Sequence, residues 1–96
     1  MFYVVVRKNL KPRADWPPQV MDGHLQWAGV EDGNGRLIVS GPILDGSGGI
    51  YLIRAASRAE ADKVTRDDPA ISSGCCSYEL HEWDIKRGRD LFGPDA

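Results

Sequence analysis

The chain opens on Phe2-Tyr3-Val4-Val5-Val6, a β-branched and aromatic run that predicts a strand. Residues 8–18 hold three prolines and read as a loop. Within it Asp15 is placed to cap a helix, and Pro17 and Pro18 are tolerable only in that helix's first turn. From about residue 17 to 32 the apolar positions recur at helical spacing, until Gly33-Asn34-Gly35 stops them. Leu37-Ile38-Val39 centres a second strand over residues 36–40, and Ile50-Tyr51-Leu52-Ile53 centres a third over 49–55. Between them Gly41-Pro42 and Asp45-Gly46-Ser47-Gly48-Gly49 mark turns. Ser57-Arg58-Ala59-Glu60 is a capping box, so a second helix starts at Ser57, and Pro69 requires it to end near Asp68. Residues 75–85 predict a long fourth strand. The order βαββαβ implies an α+β, ferredoxin-like sandwich: a four-stranded antiparallel sheet with two helices on one face.

That plan leaves a face uncovered. In the first strand Phe2, Val4 and Val6 point one way while Tyr3 and Val5 point the other, and the second and third strands are also continuous apolar runs. Strands of this kind are normally buried on both sides. A second copy of the chain is the simplest cover, so a homodimer through the sheet face is expected. His81, on the fourth strand opposite Tyr78 and Leu80, is then expected to pack at that interface.

Composition narrows the function classes. With 96 residues, 42% hydrophobic and 27% charged, the chain reads as one globular domain over 1–96 with a core at about 2–85 and a tail at 86–96. Twelve Lys and Arg against 14 Asp and Glu give a net charge of -2, which provides no footprint for nucleic acid. No apolar run approaches the roughly 20 residues of a membrane span. Arg7 and Lys8 break the opening run, so no secretory signal is read and a cytoplasmic location is expected. Cys75 and Cys76 are adjacent and ill-placed for a disulfide, and with His24 and His81 they make no metal-ligand pattern. They are expected to be buried or half-buried thiols, with no metal and no cofactor. The basic run Lys86-Arg87-Gly88-Arg89, flanked by acidic residues, is read as a solvated tail.

Candidate chemistry centres on two positions. On a helical wheel His24 and Trp27 fall within about 40° of Val20, and Ala28, Met21 and Leu25 extend the arc. An imidazole in an apolar arc needs a hydrogen-bond partner. Gly23 beside it costs about 1 kcal/mol relative to Ala in a helix, which is explained if another group approaches closely there. On the second helix the wheel turns Asp68 inward and Asp67 outward. Antiparallel helices on one sheet face bring the start of the first near the end of the second, so His24 and Asp68 can meet. A carboxylate bound to an imidazole fixes its tautomer and suits it to general acid–base work. The competing roles are a satisfied core histidine and an aspartate that merely caps the turn at Pro69. Ser40-Gly41-Pro42, closing the second strand, offers a hydroxyl and open backbone to a ligand oxygen, or else an ordinary turn. Trp27 serves as core or as an apolar wall beside His24.

These residues carry a resemblance. The opening Phe2-Tyr3-Val4-Val5 strand, His24-Leu25, Arg36-Leu37 running into Ser40-Gly41-Pro42, Asp68-Pro69 and the Gly74-to-Ile85 strand together resemble the YciI-like proteins, the YCII-related domain family. The resemblance implies a ferredoxin-like fold that dimerises as an α/β barrel. It also implies an active site with a His24–Asp68 pair near the Ser-Gly-Pro turn. One branch of that family is a dehydrochlorinase of chlorinated hydroxyhydroquinone, and the similar muconolactone isomerases share the barrel plan. The expected function is therefore cofactor-free acid–base chemistry, as a lyase, isomerase or dehydrochlorinase, on a small cyclic or aromatic metabolite. The alternative is a non-catalytic small-molecule binding module of the same fold. The proline-rich connection at 11–18 and Cys75-Cys76 depart from the family pattern.

Overall fold

The structure is a computed structural model and describes residues 1–93. The chain runs through β1 (Phe2–Asn9), α1 (Pro18–Gly33), β2 (Leu37–Pro42), β3 (Gly48–Arg54), α2 (Arg58–Arg66), α3 (Pro69–Ser72) and β4 (Cys76–Glu82). All three strand pairings are antiparallel, and the sheet order is β2-β3-β1-β4. This is the expected ferredoxin-like plan with one short helix added.

Strand alternation builds the core. Tyr3 and Val5 of β1, Tyr51 and Ile53 of β3, Leu37 of β2 and Leu80 of β4 pack against Trp27 of α1 and Ala61 and Val64 of α2. The buried stripe of α1 is Val20, His24 and Trp27. Leu25, at the edge of the expected apolar arc, is 55% exposed. At the start of α2 the Ser57 hydroxyl accepts from the Glu60 amide, as the capping box predicts.

Several local readings change, and Gly41-Pro42, expected to mark a turn, instead ends β2 paired with Ile50 and Gly49. β1 continues to Asn9, and Arg13–Asp15 form a 3-10 turn where a plain loop was expected. Asp15 lies in that turn and does not cap α1, whose N-cap is Pro17 with no side-chain bond. Pro18 then supplies a preset backbone angle at the first helical position. α2 ends at Arg66, and Asp68 caps a separate helix, α3, by accepting from the Ala70 amide. Pro69 therefore opens a helix as well as closing one, because a first-turn residue needs no amide donor.

β4 is shorter than expected and stops at Glu82. Beyond it Ile85 is buried against Phe2 and Leu52, and a 3-10 turn at Arg89–Phe92 folds back on the sheet. The Phe92 ring meets Phe2 edge-on at 6.4 Å, and the Arg54 and Arg89 guanidinium groups lie over Phe2 at 5.8 and 5.7 Å. Arg89 of the basic cluster is solvent-exposed, as expected of a solvated tail, and also contacts the Phe2 ring. The last part of the expected tail, residues 94–96, lies outside the described residues. Ile85 and the 3-10 turn at Arg89–Phe92 cover one end of the sheet face away from the helices. Elsewhere on that face Val39, Ile50 and Trp83 are 52%, 47% and 48% exposed, and His81 is exposed beside them.

Gly23 explains how the helices approach. A Cβ there would lie 2.9 Å from Pro69 Cγ and 3.2 Å from its Cβ, so only glycine lets α1 reach α3. Gly29, six residues on, has no such neighbour. Gly29→Ala should therefore gain about 0.5–1 kcal/mol from helix propensity. Gly23→Ala should forfeit that gain to overpacking against a rigid ring, typically about 1–3 kcal/mol. Urea denaturation of both variants checks this, and equal stabilities would show that the Pro69 contact does not constrain the fold.

Candidate active site

His24 and Asp68 meet. The carboxylate receives His24 Nδ1 at both oxygens, at 2.9 Å (Oδ1) and 3.0 Å (Oδ2). Asp68 is fully buried and His24 is 6% exposed. Oδ1 also accepts from the Ala70 amide at 3.0 Å, and Oδ2 accepts from the Tyr51 hydroxyl at 3.0 Å. Every oxygen of this buried carboxylate is hydrogen-bonded, as burial requires. Asp68 both pairs with the histidine and caps α3. The two roles set against each other in the sequence coexist.

A fourth residue completes the group. Arg7 Nη1 donates to Tyr51 Oη at 2.9 Å and faces His24 Nε2 at 3.4 Å. The tautomer follows from the partners. A carboxylate only accepts, so Nδ1 carries the proton; a guanidinium only donates, so Nε2 presents its lone pair. Tyr51 donates to Asp68 while accepting from Arg7, so its phenol must stay protonated. Burial first, then the Asp68 charge, pushes its pKa well above the ordinary phenol range, with Arg7 partly opposing.

Local sequence places each member. Arg7 continues the inward alternation of Tyr3 and Val5 along β1 and is 2% exposed. It pairs with Gly49 across the ladder, where a Cβ would fall 3.0 Å from its Nη2. Glycine there gives the guanidinium room to lie across the sheet. Its Cζ lies 5.3 Å from the Trp16 ring centroid and 5.7 Å from that of Tyr51. Trp16 comes from the proline-rich connection, where its Nε1 donates to the Lys11 carbonyl at 3.0 Å. That connection therefore supplies a wall of the site.

One cavity of about 210 Å³ gathers the expected residues: His24, Trp27, Ser40, Gly41 and Pro42 all line it. Asp68 lies behind His24 and does not. Ser40 pairs with Tyr51 across the β2–β3 ladder. Trp27 is both core and wall: its Nε1 donates to the Val64 carbonyl at 3.0 Å, and its ring stacks on His24 with centroids 6.2 Å apart. The residues not anticipated are Arg7, Tyr51, Arg13 and Trp16. For Arg7 and Tyr51 a signal existed, since period-two alternation puts both on the inward face. Among the described residues no group of three or more His, Cys, Asp and Glu side chains could hold a metal ion. Nor is any described helix long and apolar enough to cross a membrane.

The model of the YCII-related domain matches residues 1–84. The chain belongs to this family. A relative within reach is the uncharacterised protein YjpA of Bacillus subtilis (strain 168), 34% identical over 65 residues, which are 68% of this chain and 76% of YjpA. Among solved structures the chain is similar to 5-chloro-2-hydroxyhydroquinone dehydrochlorinase from Burkholderia phenoliruptrix AC1100, in complex with 2,5-dihydroxybenzoquinone. The TM-score is 0.66 at 19% identity, covering 88% of this chain and 94% of that one. At that identity the likeness establishes the shared fold.

The two thiols are free and buried, as expected. Burial is the main cause that pushes Cys76 up to about 11, and its Sγ lies 3.3 Å from Asn9 Oδ1. A thiol raised in the folded state favours folding while it stays protonated. That contribution is complete below the ordinary value of 9.0 and is lost as pH rises towards about 11. The denaturation midpoint should therefore fall across this alkaline window, and Cys76→Ala should flatten the fall. An unchanged slope in that variant would assign the alkaline loss to other groups.

Proposed function

We propose that the protein is a small acid–base enzyme, a lyase or isomerase of the dehydrochlorinase type, acting on a small cyclic or aromatic metabolite without a cofactor. One observation carries this reading: Asp68 fixes the proton on His24 Nδ1, leaving the Nε2 lone pair at a residue that lines the cavity. Nε2 takes a proton from the substrate. If a leaving group such as chloride departs with the released electron pair, the reaction is an elimination. If the proton returns at another atom, it is an isomerisation. Asp68 offsets the charge that forms on the imidazole, and Tyr51 holds Asp68 in place. Ser40 and the Gly41 backbone lie where a substrate oxygen would be bound. The fold shared with a dehydrochlorinase supports the same class of chemistry.

A general base contributes typically about 10²–10⁴-fold to a rate. His24→Gln keeps a hydrogen-bonding side chain of similar length but removes the titrating group. Turnover on any halogenated or enolisable cyclic substrate found by screening should fall by about that factor, with the circular dichroism spectrum unchanged. Full turnover in His24→Gln would remove the histidine from the mechanism. A parent protein that binds such compounds and turns over none of them would favour the binding module instead.

The working unit in this proposal is a cytoplasmic homodimer joined through the open sheet face. Half-exposed Val39, Ile50 and Trp83 support it, because they form an apolar surface that the C-terminal segment leaves uncovered. Light scattering coupled to size exclusion should give twice the chain mass at micromolar concentration. Ile50→Lys should shift it to the monomer, and a monomeric parent would refute the dimer.

A further inference from the structure

The cavity beside His24 carries more positive charge than an acid–base pair needs. Arg7 and Arg13 both line it, and no Asp or Glu does. Among the described residues neither guanidinium has a carboxylate within 4.0 Å. Arg7 and Asp68 balance one another, one charge each, joined through Tyr51 and His24. Arg13 has no such counterpart. Its hydrogen-bond partner is the Met21 sulfur at 3.6 Å, and its Cζ lies 5.6 Å from the Trp16 ring centroid. With His24 neutral, the walls therefore sum to one unbalanced positive charge.

A second observation is independent of that sum. Arg7 is 2% exposed, yet its Nε has no hydrogen-bond partner. A buried donor left unpaired is costly, and because Arg7 also lines the cavity, an acceptor that enters there and reaches Nε would relieve that cost. Guanidinium groups match the planar, two-oxygen shape of a singly charged carboxylate, which they can bind through two parallel hydrogen bonds. Leu25, Trp27, Ala28 and Pro42 give the cavity an apolar wall that suits a ring.

The geometry points to a small cyclic monocarboxylate as the ligand of this cavity, its carboxylate bound by Arg7 and Arg13 and its ring lying towards Trp27. This rests on the acid–base reading only for the claim that the ligand is also the substrate. The proline-rich connection is then a specificity element, because it delivers Arg13 and the Trp16 ring against which both arginines lie.

The test is a calorimetric titration of the parent protein with benzoate and with benzamide, its neutral isostere. Benzoate should bind at least about tenfold more tightly, the effect of one charge-assisted hydrogen bond. Its affinity should weaken as salt is raised. Arg13→Gln should reduce that preference by about tenfold, weakening benzoate far more than benzamide. Arg13 is partly exposed and outside the core, so this variant remains informative if Arg7→Gln does not fold. Equal binding of the two probes, no binding of benzoate, or an unaltered preference in Arg13→Gln would each overturn the assignment. Repeating the titration in His24→Gln separates it from the proposed chemistry. Retained benzoate preference with full turnover would sink the base alone, whereas lost turnover with no benzoate preference would sink the carboxylate site alone.

Discussion

The structure depends on one buried constraint, the neutralisation of Asp68. An ionised carboxylate with no access to water persists only where donors converge on it. Here they come from three elements: His24 from α1, Tyr51 from β3 and the Ala70 amide from α3. β1 adds Arg7, which reaches the carboxylate through Tyr51 and His24. No element can slide without leaving a buried donor or acceptor unpaired. The network thus fixes the separation of α1 from α3 and sets the direction in which the imidazole presents its free nitrogen. Apolar packing by Val20, Val64 and Ile53 brings these elements together but does not specify that direction.

Close approach is the other side of the same constraint. A 2.9 Å hydrogen bond between two helices demands backbone proximity, and Gly23 against Pro69 provides it. Gly49 does the same for Arg7 within the sheet. Two residues with no functional groups therefore determine where two charged groups lie. This also accounts for a glycine inside α1, where propensity alone argues against it.

Much of this was legible in the residue order. Inward placement of His24 and Asp68 follows from helical period, and their meeting follows from the antiparallel helices of a βαββαβ sandwich. The unexplained glycine at position 23 already pointed to a close neighbour. What escaped was decided by tertiary context. Arg7 sits at the end of an apolar run and reads as its terminus, although strict alternation from Tyr3 and Val5 places it inward. Asp68-Pro69 reads as a helix end, and only the chain's redirection into α3 makes it also a beginning. Arg13 and Trp16 carry no periodic signal, because a proline-rich connection acquires its position from what it packs against.

The imidazole's two sides are held unequally, and this difference bears on the proposed proton transfer. Nδ1 is gripped by two oxygens at 2.9 and 3.0 Å. Nε2 has a single contact, Arg7 Nη1 at 3.4 Å, longer than the 2.9 Å bond that the same nitrogen gives to Tyr51. Hydrogen bonds weaken over that range, so the contact to Nε2 is the one most readily exchanged. A proton accepted at Nε2 would face the guanidinium directly and could remain only if the guanidinium turned to another acceptor. An anionic group in the cavity is such an acceptor. Binding would then occupy Arg7 and release Nε2 in one movement, so that the base becomes available where substrate is present. In that arrangement Arg7 couples recognition to proton transfer, and Asp68 keeps the tautomer constant throughout.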